Sequence, residues 1–408
     1  MLRFLTAGES HGKGLVAILE GMPAGLHLDF DAITEQLKRR QGGYGRGRRM
    51  AIESDKAEVL SGVRAGETLG SPISLLIRNK DWENWQQTMH AEDTPPPDAT
   101  GAIRPVVTRP RPGHADLAGV IKYDRTDIRD VLERASARET AARVAVAAIA
   151  RQLLKKFNVN IVSHVYQVNG IGLDSPLRVT YESARDISAE SALHCADVGA
   201  EAMMIAEIDR CRDAGDTAGG AFEVIVRGLP VGLGSYVQWD RKLDGRLAQA
   251  MMSIPAIKGV GIGIGPKAAS VPGSQMHDEI VPAPGRTQPP IGVARPTNNA
   301  GGLEGGVTNG EDLRVSGFMK PIATLMKPLR SVDLSVMSEA PAVIERSDVC
   351  AISAAAVVGE AVVSLVLADA FLEKFSGDSL GEIERNYAAA TSRLQSRFKA
   401  TKREVGSA

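Results

Sequence analysis

Short apolar-rich runs at 2–6 and 14–19 predict two strands flanking the loop Ala7-Gly8-Glu9-Ser10-His11-Gly12. Residues 31–40 have helical spacing, with Asp29 or Asp31 as the cap. Residues 50–77 read as strands and turns, because 57–60 and 73–77 are apolar and branched and Gly62, Gly66 and Gly70 separate them. Residues 93–101, with Pro95-Pro96-Pro97, form an irregular loop. The clearest helical region spans 124–157, in one or two pieces, and its later half, 141–154, is rich in alanine. Strands are predicted at 159–168 and 221–226, with a helix at 200–213 between them and another at 243–254. Residues 266–302 carry seven prolines and no sustained periodicity, the signature of a functional lid or of disorder. The longest apolar stretch, 351–372, is interrupted by Glu360 and Asp369 and predicts a buried helix, not a membrane span. A surface helix at 380–398 then frays into a polar tail.

Composition narrows the class. The 408 residues allow one large domain or two to three ordinary ones, and no charge-poor linker forces a cut. Hydrophobic residues at 43% and charged residues at 24% fit a globular protein with a real core, while 4% aromatics disfavour any role that needs stacking platforms. Three cysteines, Cys195, Cys211 and Cys350, without a CxxC spacing disfavour a disulfide framework or a zinc site. No metal site is predicted. The N-terminal MLRFLTAGESHGKG lacks the apolar core and cleavage site of a signal peptide. A soluble protein of a reducing, cytoplasmic compartment is expected.

Charge changes the picture most. The formal net charge is only −1, yet residues 38–49, KRRQGGYGRGRR, gather six cationic side chains and four glycines in twelve positions. Such gathering points to a local anionic target. Glycine lets backbone amides approach a ligand, and arginine forks match carboxylate or phosphate oxygens two at a time. The loop from Gly8 to Gly14 is not a P-loop, since three residues separate Gly8 from Gly12-Lys13 and Gly14 stands where Ser or Thr is needed. Ser10-His11 at a glycine-flanked strand end fits an acid/base site, with a surface-loop histidine as the plain alternative. Residues 104–116 are stiffened by proline and would project their arginines and His114 at fixed positions, or form an ordinary surface loop.

Arg134 and Arg138 share a helix face at i, i+4, either admitting a flat ligand over the small residues between them or pairing locally with Glu133 or Glu139. Residues 259–265 miss the dinucleotide fingerprint, because Pro266 stands where its last glycine belongs. Residues 298–310, NNAGGLEGGVTNG, form a ligand cradle or a flexible turn. Asp348 at the opening of the apolar helix is a cap or a buried base. Residue chemistry alone thus reaches a soluble enzyme with an arginine-lined anion site and two polar histidines. RNA binding by the Arg/Gly run is disfavoured by the near-neutral charge, the few aromatics and the shortness of the run.

Taken in order and spacing, GESHG, QGGYGRGRR, RPGHAD, RASARET, AGGLEGGVTNG, MKPIAT and RSDVC resemble the chorismate synthase family over residues 1–380. The resemblance implies an α+β fold, a β-α-β sandwich forming a single large domain around a central helical layer, assembled as a homotetramer. Residues 1–380 would be the catalytic domain, with long active-site loops near 38–50, 81–116 and 266–310, and 381–408 a C-terminal helix and frayed tail. The implied reaction converts 5-enolpyruvylshikimate 3-phosphate to chorismate and phosphate, the last common step of the shikimate pathway. It is a 1,4-elimination without net redox change that nevertheless requires reduced FMN. Neither nucleic acid nor membrane is an expected partner.

By the same resemblance, Ser10, Arg40, Arg46, Arg48, Arg49 and Arg134 line the substrate pocket, each charged contact contributing about 1.5–3 kcal/mol. Arg40 and Arg46 also match positions associated with NADPH, which leaves open a bifunctional form that reduces its own flavin. A bacterial-type enzyme of this length is expected to receive FMN already reduced. The flavin positions carry over to Ala135, Ser136, Ala137, Pro255, Ala256, Gly305, Lys320, Pro321, Ile322, Ala323, Thr324 and Arg346. His11 would protonate the departing phosphate, His114 would stabilise or protonate the reduced flavin, and Asp348 would help relay the ring proton. One departure stands out: Gly261 replaces the glutamate usual in the family's Lys-Gly-Val-Glu-Ile-Gly.

Overall fold

Alternating burial on the first strands puts one face of a sheet against helices. Leu15, Ala17 and Leu19 point inward from β2 (Gly14–Glu20), which lies beside β1 (Arg3–Ala7). The sheet continues with β3 (Ala57–Ser61) and β4 (Ile73–Arg78), whose Ile73, Leu75 and Ile77 face the same way. Its order is β1-β2-β4-β3, antiparallel throughout, with Thr6 opposite Ala17 in register. The computed structural model describes residues 1–47, 55–283, 285–286, 292–345 and 347–398.

Helices fill the middle. In α1 (Phe30–Gln41) Asp29 caps the first turn by accepting from the Ala32 amide, and Ile33, Leu37 and Arg40 make one buried stripe. α2 (Asp116–Tyr123) is short. α3 (Thr140–Lys156) is alanine-rich and buried on nearly every side, as a helix between two layers must be. A second antiparallel sheet closes the far side, built from β5 (Asn160–Val168), β6 (Gly220–Arg227), β7 (Ile257–Ile262) and β8 (Leu313–Met319) in the order β7-β8-β6-β5, with the short strand Ile171–Gly172 at its edge. Between β5 and β7 the chain forms α4 (Val198–Asp213) and α5 (Leu243–Met252). The long α6 (Ile352–Phe375) lies on β5 and β6 and packs against α3, which covers β2 and β4; α1 touches both helices. α7 (Leu380–Phe398) packs back on α6 through Tyr387, Phe371 and Phe375. The result is the sheet–helix–sheet sandwich of the α+β class.

α6 is apolar and long enough to cross a membrane, yet 89% of its most apolar window is buried inside the molecule, so it is the core helix. Its one interior charge is fully paired. Glu360 receives both Arg39 Nη atoms at 2.7 Å, Arg151 and the Ser163 hydroxyl at 2.6 Å, which ties α1, α3, β5 and α6 together. Burial pushes this carboxyl up, but the two guanidiniums outweigh it and hold it well below the usual carboxylate range.

Three segments differ in detail from their sequence patterns. The 124–157 helix is broken: only Arg129–Leu132 is helical before an extended Ser136 caps a 3-10 turn at Ala137–Glu139. The stiff 104–116 segment ends by starting α2. Residues 266–302 contain short helical turns at Gly265–Ser270 and Gly273–Met276 and a strand pair, Val281–Pro282 with Val293–Ala294. β7 and β8 carry no strand signature strong enough to predict, since glycine alternates through β7. Pairing with β8 and packing on Phe318, which would lie 3.2 Å from a Cβ on Gly259, make the strand.

Candidate active site

The loop between β1 and β2 turns at Gly8 with φ +104°, where any Cβ would lie 2.3 Å from the Gly14 carbonyl oxygen. The broken helical segment grips this loop. Arg134 donates to the Gly8 carbonyl at 3.1 Å and to the Thr6 carbonyl and hydroxyl at 2.9 Å. The buried Ser10 donates its amide to the Glu133 carbonyl at 3.0 Å. Half-buried His11 places ring Nδ1 at 2.8 and 2.9 Å from the Glu133 carboxylate. Its ring stacks on Trp85 at 3.7 Å. Arg134 and Arg138 do not share a helix face as expected, because the chain turns between them.

Arg138 points instead into a buried cluster. Its Nη1 lies 2.8 Å from Asp55, and Arg40 Nη2 reaches the same oxygen at 3.1 Å. Burial depresses the Arg40 guanidinium; Asp55 opposes that shift, while nearby Arg138 and Arg46 reinforce it. Arg46 pairs with Asp348 at 2.8 Å, and Asp348 also accepts the Gly47 amide at 2.6 Å. The glycine loop thereby docks at the start of α6, where Gly45 adopts φ +81° and its carbonyl accepts the Val349 amide at 2.8 Å. Among the described residues, the guanidiniums of Arg40, Arg46 and Arg138 converge with Asp55 and Asp348 in a largely desolvated place. Such a cluster is suited to holding an anion. Arg48 and Arg49 lie outside the described residues, as does Arg346.

The third group surrounds His114. Its Nδ1 lies 2.5 Å from Asp116, which also receives Arg111 through Nε at 2.8 Å and Nη2 at 3.1 Å. Burial raises the Asp116 carboxyl, but the hydrogen bonds from His114 and Arg111 prevail and hold it below the usual range. Arg111 continues to the Thr324 hydroxyl at 3.2 Å, and a Cβ on Gly113 would come within 3.6 Å of Lys320 Nζ and 3.8 Å of Ala323. The predicted 320–324 segment, Lys320 through Pro321, Ile322, Ala323 and Thr324, therefore borders His114. The Lys320 amide donates to the carbonyl of Ala256 at 2.9 Å, which brings Pro255 and Ala256 to the same place; Ala256 itself has φ +69°.

Two chain segments join these groups. Residues 133–138 run from His11's partner to Arg138, with half-buried Ala135 and Ser136 and exposed Ala137 between. Glu345 lies 3.7 Å from Arg111, and Asp348 is three residues on, so within about 10 Å along the chain. Gly305 stands apart. It forms the tip of the hairpin Leu303–Glu304 with Val307–Thr308, at the start of α5, and Pro255 lies beyond the far end of that helix, about 15 Å away at 1.5 Å per residue. At Gly261 a Cβ would lie 3.1 Å from Gly265 Cα and 3.4 Å from Pro266, so the following turn packs where a glutamate side chain would begin.

Glu133, Trp85 and Asp55 had no motif to mark their roles, and Asp116 lies in RPGHAD without an assigned role. Only the alternating charges of Arg129, Glu133, Arg134 and Arg138 hinted that this segment pairs across the fold.

The family model described as chorismate synthase matches residues 2–372. Chorismate synthase of Moorella thermoacetica is 56% identical over 395 residues, covering 97% of this chain and 100% of its own length. That of Desulforamulus reducens is 57% identical over 384 residues, covering 94% and 97%. A crystal structure of chorismate synthase aligns with a TM-score of 0.76 at 41% identity, over 97% of this chain and 98% of its own.

Proposed function

The chain belongs to the chorismate synthase family, and on that premise we propose how its own residues serve the reaction. As a member it is a lyase of the shikimate pathway, converting 5-enolpyruvylshikimate 3-phosphate to chorismate and phosphate by 1,4-elimination. An RNA-binding reading falls with this membership. The relatives' names speak of chorismate synthase alone and lend no support to a bifunctional form with its own NADPH:FMN reductase.

The observation that carries the site assignment is the buried convergence of Arg40, Arg46 and Arg138, whose guanidinium forks suit a substrate with two carboxylates and a phosphate. Arg40 and Arg46 bind these groups, continued along the chain by Arg48 and Arg49. Ser10 and His11 serve the departing phosphate. With Nδ1 committed to Glu133, His11 passes its proton from Nε2. Arg134 acts by holding the loop that carries both residues. Asp348, which pairs with Arg46 and accepts the Gly47 amide, relays the ring proton. His114 donates Nδ1–H to Asp116, which leaves Nε2 for the cofactor side.

Reduced FMN is the cofactor that fits. Lys320 is half-buried beside Lys258, which depress it together with burial, and no carboxylate pairs with it among the described residues. Gly113 leaves room at its ammonium, and Ala135, Ser136 and Ala137 offer small surfaces to a flat ring. Held by these residues, reduced FMN would supply transient electron donation that weakens the allylic C–O bond. Arg346 and Gly305 complete the set. Gly305 lies too far from Lys320 to act with it in one chain, and the exposed Tyr236, Val237 and Trp239 beside it suit contact with another copy, in keeping with a homotetramer. A cytoplasmic location is consistent with three buried, unpaired cysteines.

Anaerobic phosphate release from 5-enolpyruvylshikimate 3-phosphate tests this reading. Release with dithionite-reduced FMN and none with oxidised FMN plus NADPH is expected. Release with NADPH would move flavin reduction into this chain, and no release under either condition would remove the assignment.

A further inference from the structure

Two of the contacts on the His11 ring lie at right angles, one in its plane and one on its face. In the plane of the ring, buried Glu133 meets Nδ1 at 2.8 and 2.9 Å and also accepts the His11 amide at 2.9 Å. An ionised carboxylate can only accept, so Nδ1 carries a proton whether Nε2 does or not. Perpendicular to the plane, the ring lies on Trp85 with an interplanar angle of 21°. Trp85 is itself fixed: its indole N–H donates to Asp81 at 2.8 Å, and the Arg104 guanidinium lies 3.8 Å from the ring centroid. Two groups that close to one centroid occupy opposite faces, so the indole is sandwiched. The in-plane bond opposes a ring flip, and the stack opposes tilting.

We propose that Glu133 and Trp85 are positioning residues for His11: Glu133 fixes the Nδ1–H tautomer and Trp85 the ring plane, so that proton exchange is confined to Nε2 at one place. This rests on the reading of His11 as proton donor to the departing phosphate. It also gives the long 81–104 segment a task, since that segment supplies both Trp85 and the arginine that backs it.

The test combines kinetics with ¹⁵N-histidine NMR of the full chain. In the wild type at mildly alkaline pH, the neutral His11 ring should show the Nδ1–H pattern. The Nε2–H pattern there would overturn the proposal without any variant. Glu133→Gln should lower kcat on the order of 10- to 100-fold, part of what general acid catalysis supplies. Its KM should stay within about twofold, because the substrate's anionic contacts are elsewhere, and its ring signals should turn to mixed tautomers. Trp85→Leu should lower kcat several-fold with the tautomer kept. Both losses should vanish in a His11→Asn background. Wild-type turnover in His11→Asn alone would sink the reading of His11 as donor. An impaired His11→Asn beside a fully active Glu133→Gln, or a Glu133→Gln loss that persists in full without His11, would sink the positioning proposal alone.

Discussion

Two histidines in this molecule each present Nδ1 to a buried carboxylate, yet their surroundings differ in charge. At His114 the carboxylate of Asp116 is already engaged by Arg111 through two nitrogens, one of which lies 3.1 Å from the imidazole. Because Nδ1 cannot both donate to Asp116 and accept from Arg111, the shorter contact decides and Nδ1 is the donor. At His11, Arg129 meets Glu133 only at 3.6 Å, and a face of the ring lies on an aromatic side chain. The first pair is built to orient a ring whose partner is neutralised. The second holds its ring between a carboxylate in the ring plane and an aromatic face.

The sharpest way to break this comparison is to remove each ring. His11→Asn should lose about 10²- to 10⁴-fold in turnover, the range of a general acid, and His114→Asn about tenfold. Equal losses would erase the distinction. Removing each carboxylate comes next. Asp116→Asn should cost about 3–5 kcal/mol in urea unfolding, since Arg111 is left buried and largely uncompensated, while Glu133→Gln should cost about 1 kcal/mol. A reversed order would show that Glu133 holds the fold and not the ring. Asp348 extends the comparison to a carboxylate paired with an arginine but with no imidazole. Asp348→Asn should lower turnover about 10- to 100-fold and weaken substrate binding, because Arg46 loses a charged partner, with FMN affinity little changed by titration.

The smallest effect is on pH dependence. Asp116 is depressed in the folded protein, so its stabilisation is complete above the unfolded value near pH 4 and is lost as pH falls below it. Wild-type stability should therefore fall below about pH 4 by up to about 1.4 kcal/mol per pH unit for this group, and Asp116→Asn should show a shallower slope. Parallel slopes would mean that Asp116 is not the group being titrated.

Much of the scaffold was legible in advance because its signals are short-range. Asp29 caps α1 three residues from the amide it accepts, the Ala-rich run is α3, and the apolar stretch around Glu360 is the core helix. Glycine-alternating β7 was not legible, because only its pairing with β8 and packing on Phe318 make it a strand. The site divides the same way. The density of cations at 38–49 announced an anion, and the ordered motifs announced the family.

Taken alone, the sequence determined which residue types are present and the local geometry they favour: helix caps, apolar periodicity, glycine turns and the gathering of charge. These depend on neighbours a few residues apart, where chain connectivity already brings groups together. Tertiary structure alone decided what each group faces. Glu133 reaches His11 across 122 positions, Arg138 reaches Asp55 across 83, and Arg111 reaches Thr324 across 213. Such contacts form only when packed layers offset the entropy of closing long loops, so no local pattern can carry them.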